Sequence, residues 1–172
     1  MTILHTKLAK IDHGLYQSIF DYRKEFQVFH PILGKHSANR VLELGCGAGN
    51  LASYFLKAGY SYMGMDVAKP MLRIARRSHP EAEFIRGDMR RFSLSGFDAV
   101  IIGGRSFTYM TANEDVRTAL ACVKRALRPG GILIFDNFEA GAIFENLHQP
   151  LPPMCGRLAI RQSGGLPHDR RI

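Results

Sequence analysis

Gly45, Gly47 and Gly49 alternate through the run Glu43-Leu-Gly-Cys-Gly-Ala-Gly49, directly after a short apolar stretch and directly before a helical one. Residues without side chains let a backbone turn tightly and approach a ligand, and N–H groups at a helix start point outward. Such a turn suits nucleotides in general. Gly47-Ala-Gly-Asn-Leu-Ala52 also fits the dinucleotide pattern G-x-G-x-x-G/A, and Asp66 follows at the distance of a ribose-binding carboxylate, so the turn taken alone admits NAD. Glycines at a strand-to-helix turn also have a plainer use, which is close packing.

Three carboxylates narrow the choice. Glu43 falls near the end of what should be a buried strand, where an unpaired charge is costly, and a cationic ligand would account for it. S-adenosylmethionine carries an ammonium and a sulfonium, whereas the pyrophosphate of NAD would be repelled. Asp66 ends the second strand, where its two acceptor oxygens suit both hydroxyls of an adenosine ribose. Asp88, in Gly87-Asp88-Met89, ends the third strand and is placed to accept an adenine amine. Each residue has a simpler account: an internal salt bridge for Glu43, a helix cap for Asp66 ahead of Pro70, and neutralisation of Asp88 by Arg86, Arg90 or Arg91.

The elements that must position these groups are legible as hydrophobic period. Leu15 to Ile32 is expected to be an amphipathic helix, with Ile19, Phe20, Phe26 and Phe29 at helical spacings and Pro31-Ile-Leu-Gly34 closing it. Arg40–Leu44 follows as a buried strand, 50–58 as a helix stopped by Gly59, and 60–65 as a second strand. Then come a helix over 71–77 that Pro70 can open, a strand over Glu83–Arg86, a strand over Phe97–Ile102, a helix over 113–127, and a strand over 131–135 after the turn Arg128-Pro-Gly130. Strands alternating with helices predict a doubly wound α/β fold, a parallel sheet with helices on both faces. Such sheets bind ligands outside the carboxyl ends of their strands, where Glu43, Asp66 and Asp88 all fall. A short helix is expected over 142–147. Beyond it the chain is rich in breakers, with only Arg157–Arg161 strand-like.

At 172 residues the chain is long enough for one domain with a substantial core, and 46% hydrophobic against 22% charged residues excludes wholesale disorder. Cys46, Cys122 and Cys155 are an odd number with no close pair, which argues against a disulfide framework or a zinc cluster and for a reducing compartment. With no signal peptide or membrane span read at the start of the chain, a cytoplasmic location is expected. The formal charge is +8, of which the last sixteen residues supply +3. A nucleic-acid partner is therefore only weakly indicated.

Val41-Leu-Glu-Leu-Gly-Cys-Gly-Ala-Gly-Asn50, Gly64-Met-Asp66 with Met71-Leu72, Arg86-Gly-Asp-Met89, Phe97-Asp-Ala-Val-Ile-Ile102 and Leu127-Arg-Pro-Gly-Gly-Ile-Leu-Ile-Phe-Asp136 resemble, in order, the successive motifs of the class I S-adenosylmethionine-dependent methyltransferases. The resemblance spans about 40–136 and implies a Rossmann-like core over 40–147, after a helical segment over 1–39 and before a Pro/Gly-rich tail over 148–172. It implies S-adenosylmethionine as cofactor. Gly45, Cys46, Gly47 and Gly49 would wrap its methionine part, with Glu43 near the amino group. Asp66 would bind the ribose, Val67 and Met71 would pack on the adenine, and Asp88 and Met89 would meet its edge. The loop from Gly103 to Met110 would lie beside the sulfonium. Ser106 and Tyr109 are candidates for substrate contact, and Tyr16 and Tyr22 for closing over the cofactor. No catalytic base is named, because an activated methyl donor needs alignment more than proton removal.

The chain departs from this pattern at its end. Members add two further strands after the fifth, and these are expected to be missing here, leaving an exposed edge that a truncated fragment would show or another copy of the chain would cover. The loop after the fourth strand reads Gly103-Gly-Arg-Ser106 instead of the Asn-Pro-Pro-Tyr type used on nucleic-acid amines, and Asp136 and Glu139 are too isolated for a magnesium site. A small-molecule acceptor is the leading expectation. An inactive cofactor-binding module and an NAD-dependent oxidoreductase are the alternatives.

Overall fold

The computed structural model describes residues 20–104 and 106–137 and the strand Arg157–Arg161. A helix α1 (Tyr22–Lys35) leads into β1 (Arg40–Leu44), α2 (Ala52–Lys57), β2 (Ser61–Asp66), α3 (Lys69–Ser78), β3 (Glu83–Arg86) and β4 (Phe97–Ile102). A 3-10 turn over Ser106–Tyr109, α4 (Asn113–Ala126), β5 (Leu127–Asp136) and β6 (Arg157–Arg161) complete the described elements. The sheet order is β3-β2-β1-β4-β5-β6, with β1 to β5 parallel and β6 antiparallel to β5. The strand order reverses between β1 and β4, and the crevice at that reversal is where open α/β sheets take ligands.

Alternation along the strands separates two buried layers. Val41, Tyr62, Ala99 and Ile101 face one way and pack with Phe29 and Leu33 of α1, Phe55 of α2 and Leu72 of α3. Leu42, Leu44, Val100 and Ile102 face the other way, against Val123 and Ala126 of α4. The doubly wound, Rossmann-like sheet is thus present, and α1 shares the core of β1. No described helix is long and apolar enough to cross a membrane.

Four local expectations are corrected. Pro31 does not close α1, which runs on to Lys35. An interior proline costs about 3 kcal/mol, but Phe29 and Leu33 are fully buried, and each such side chain contributes about 1.5–3 kcal/mol. The helix also starts later than expected, with Asp21 as N-cap accepting from the Lys24 N–H at 3.1 Å; residues 15–19 lie outside the described residues. Arg128-Pro-Gly130 is not a turn before β5 but an irregularity within it. The β4–β5 register jumps from Phe97↔Leu127 to Ala99↔Ile132, because Pro129 has no N–H to pair and Gly130 adopts φ +80°. Finally, the edge of β5 is not bare, since β6 pairs with it from Ile132↔Arg161 to Asp136↔Arg157. The strand-like pattern at 157–161 thus supplies one strand after the fifth. The expected helix over 142–147 lies outside the described residues.

Candidate functional site

The glycine turn hangs on β2. The N–H groups of Gly45 and Cys46 both donate to the Met65 carbonyl, at 2.7 and 3.1 Å, and the Gly47 N–H donates to Asp66 Oδ2 at 2.9 Å. Gly45, Gly47 and Gly49 have φ of +78°, +54° and +74°, the left-handed region that favours glycine. At Gly45 a Cβ would also collide with the Ser106 side chain, so the loop after β4 closes directly over the turn. Gly49 serves packing instead: a Cβ there would stand 2.8 Å from the Phe84 ring. The expectation of outward, unspent N–H groups is therefore corrected for these residues: the end of β2 takes those of Gly45, Cys46 and Gly47, and the Cys46 carbonyl takes that of Gly49 at 2.9 Å.

Around the turn lies a cavity of about 580 Å³, within the range of small-molecule sites. Its walls include Glu43, Gly45, Cys46, Gly47, Asp66, Val67, Met71, Asp88, Met89 and Gly103, which gathers every expected cofactor residue except Gly49. Tyr22, Ser106 and Tyr109 line it too. Tyr16 lies outside the described residues.

Asp66 is half-buried, and its other oxygen, Oδ1, accepts from the Ala68 N–H at 2.7 Å. One carboxylate thus locks the glycine turn and caps the approach to α3, so the simpler account of Asp66 as a cap is also true. A carboxylate oxygen can accept more than one hydrogen bond, so these backbone contacts do not by themselves bar a ligand hydroxyl. Asp88 is gripped by Arg90, with Nε–Oδ1 at 3.0 Å and Nη2–Oδ2 at 2.7 Å. This hydrogen-bonded pairing holds the Asp88 carboxyl below its usual range. Arg90 also reaches Asp115 of α4 through Nη1, at 3.0 Å. Neutralisation of Asp88 by an arginine is therefore what the structure shows.

Glu43 differs from both. It is buried, no described cation pairs with it, and its Oε2 accepts from the Tyr62 hydroxyl at 2.5 Å. Burial pushes its carboxyl up to about 8; the Tyr62 bond opposes this, and Glu25, Asp66 and Asp136 add repulsion. The neighbouring Cys46 thiol is pushed well above its usual value, first by burial and then by Glu43 and Asp66. The internal salt bridge considered for Glu43 is absent among the described residues.

Arg90, named in the sequence as one possible partner of Asp88, lines the cavity too, and so do Glu25, Thr111 and Asp115, which the sequence reading did not single out. Glu25 left a signal. It occupies the stripe of α1 formed by Tyr22, Phe26, Phe29 and Leu33, where an apolar residue would be the rule, and it is 7% exposed. The described walls carry Glu25, Glu43, Asp66, Asp88 and Asp115 against a single guanidinium, that of Arg90. In a chain of net charge +8 the cavity is acidic. It suits a cation bearing hydroxyls and repels a pyrophosphate.

Residues 41–131 match the family model described as a methyltransferase domain. The chain is 33% identical over 113 residues to the putative methyltransferase YqeM of Bacillus subtilis, covering 61% of this chain and 46% of that protein. It is 32% identical over 138 residues to the dTDP-3-amino-3,4,6-trideoxy-alpha-D-glucopyranose N,N-dimethyltransferase of Streptomyces venezuelae, covering 75% of this chain and 58% of that one. The chain spans about half the length of the curated relatives it matches. Among solved structures, S-adenosylmethionine-bound CalS10, an amino pentose methyltransferase from Micromonospora echinaspora, superposes with a TM-score of 0.71 at 26% identity, covering 75% of this chain and 56% of that one. A glycine turn at the β1/β4 reversal, an acid ending β2 and an acidic cavity above them agree with what the sequence comparisons find: the chain belongs to the methyltransferase-domain family.

Proposed function

We propose that this chain binds S-adenosylmethionine in the acidic cavity and transfers its methyl group to a small molecule. The observation that carries this reading is the cavity itself, where a hydroxyl-accepting carboxylate, Asp66, and a buried carboxyl, Glu43, flank a glycine turn, and no guanidinium among the described residues pairs with Glu43. Bound there, S-adenosylmethionine supplies an already activated methyl group on its sulfonium. Asp66 accepts the ribose hydroxyls, Val67 and Met71 pack on the base beside Met89, and Glu43 faces the amino group. Gly103, Ser106 and Tyr109 line the same cavity, and in this reading they meet the acceptor. Alignment of donor and acceptor there supplies about 7–11 kcal/mol of the barrier. Several relatives are named for methyl transfer to amines, among them glycine and an amino sugar nucleotide, which favours a small amine as acceptor.

Calorimetric titration with S-adenosylhomocysteine and with NADH tests the reading. Binding of S-adenosylhomocysteine and not of NADH is expected, as is S-adenosylhomocysteine release when S-adenosylmethionine is incubated with a panel of small amines. Binding of NADH alone would overturn it.

A further inference from the structure

Tyr62 is buried in the core, yet its hydroxyl ends on a wall of the cavity, the carboxyl of Glu43. β1 pairs with β2 in the register Val41↔Tyr62 and Glu43↔Gly64, so Tyr62 lies on the face of Glu43, two residues before its direct partner. Gly64 itself has no side chain to offer, and Cys46 Sγ and the Phe84 ring occupy the space where one would begin. The Tyr62 hydroxyl donates to Glu43 Oε2 at 2.5 Å. Its ring is stacked on Phe55 at 5.5 Å and met edge-on by Phe84 at 6.1 Å. Rotating that ring would break both contacts, so the core fixes the direction of the hydroxyl. Burial also holds the phenol well above its usual value, and the hydroxyl stays a donor while Glu43 titrates.

Glu25 of α1, Asp66 at the end of β2 and Asp136 at the end of β5 all disfavour charge on Glu43. Cys46 in the turn adds a protonated thiol, on which Arg76 of α3 also acts. Tyr62 opposes the acids, because a hydrogen bond donated to a carboxyl favours its ionised form. Folding alone is served equally by a protonated Glu43, which also bonds to a phenol. An ammonium is served only by the ionised form, to which the bond from Tyr62 is strongest. We infer that Tyr62 is a positioning residue for the amino-acid end of the cofactor: from behind the cavity its hydroxyl aims the Glu43 carboxylate and keeps it available to an ammonium. The inference rests on the S-adenosylmethionine reading above and deepens it by one core residue.

The test compares, by calorimetry between pH 5 and 8, S-adenosylhomocysteine, which has the amino-acid end, with 5′-methylthioadenosine, which lacks it. In the wild type the affinity for S-adenosylhomocysteine should rise with pH as Glu43 ionises, and that for 5′-methylthioadenosine should stay level. Tyr62→Phe keeps the ring and removes the donor. At pH 7 it should weaken S-adenosylhomocysteine about tenfold, the loss of one hydrogen bond to a charged group, and leave 5′-methylthioadenosine within about twofold. The rise should move upward by about one pH unit. 3-Fluorotyrosine at position 62, a stronger donor of nearly the same shape, should move it downward. In a Glu43→Gln background, Tyr62→Phe should change the affinity for S-adenosylhomocysteine by less than about twofold, because no charge remains to be held. Equal affinity of wild type and Tyr62→Phe for S-adenosylhomocysteine, equal weakening of both ligands, or the same loss in the Glu43→Gln background would overturn the inference and leave the cofactor reading standing. Failure of the wild type to bind either ligand would overturn the cofactor reading, and this inference with it.

Discussion

Raising the pH from 5 to 8 should destabilise the ligand-free protein through one side chain, Glu43. Burial pushes its carboxyl up from 4.5 to about 8, against the lowering effect of the Tyr62 hydroxyl. Within that window the folded chain keeps a proton that the unfolded chain has released. Stability is therefore greatest below 4.5, falls by about 1.4 kcal/mol per pH unit as the pH rises, and levels off above the folded value. Between pH 5 and 8 the loss is about 4 kcal/mol, a large part of an ordinary domain's stability. Glu43→Gln keeps an oxygen for the Tyr62 hydroxyl and cannot ionise. Urea unfolding followed by far-UV circular dichroism, in half-unit pH steps for both proteins, isolates Glu43 as the difference between the two profiles. Parallel profiles would refute the reasoning. A cationic ligand should reverse the effect, because it favours the ionised carboxylate: S-adenosylhomocysteine binding at pH 7 should release about one proton, read from titrations in buffers of different ionisation enthalpy.

Asp66→Ala should weaken S-adenosylhomocysteine and 5′-methylthioadenosine alike, by about 1.5–3 kcal/mol, because both carry the ribose; unchanged calorimetric affinity would remove Asp66 from the site. Gly49→Ala should cost about 2–4 kcal/mol in urea unfolding, from a left-handed backbone and displacement of Phe84. Gly59→Ala, equally left-handed but in open space, should cost about 1–2 kcal/mol, and equal losses would show that the Phe84 contact carries no energy. Alkylation of Cys46 at pH 8, followed by mass spectrometry, should be far slower in the native protein than in urea, since burial keeps the thiol protonated; equal rates would count against the packing of the turn. In Glu25→Gln, the Glu43 carboxyl should fall slightly but stay raised, because burial is the largest cause and repulsion from Glu25 a smaller one, so the same urea profiles should narrow only a little.

The sheet was readable because its signals are local. Glu83–Arg86 and Phe97–Ile102 have the boundaries the sequence indicates, and the buried apolar run from Ala99 to Ile102 needs no distant partner to be recognised. The glycine turn and Asp66 are likewise encoded by spacing along one strand-turn-helix-strand unit. Pro31 misled because its local penalty is visible in the sequence while the burial of Leu33 that offsets it is not. Arg128-Pro-Gly130 misled in the same way. Its breakers are real, but the neighbouring strand decides whether they make a turn or a bulge.

The sequence by itself determined which residues end strands, and hence that Glu43, Asp66 and Asp88 reach one edge of the sheet. Only the tertiary structure decided their electrical states. Arg90 claims Asp88, and backbone N–H groups claim Asp66. Glu43 is left in a buried setting with Tyr62, and Glu25 arrives from a helix that precedes the whole unit. The physical reason is that periodicity is a property of the chain, whereas desolvation and Coulomb energy depend on which distant groups close in around a charge.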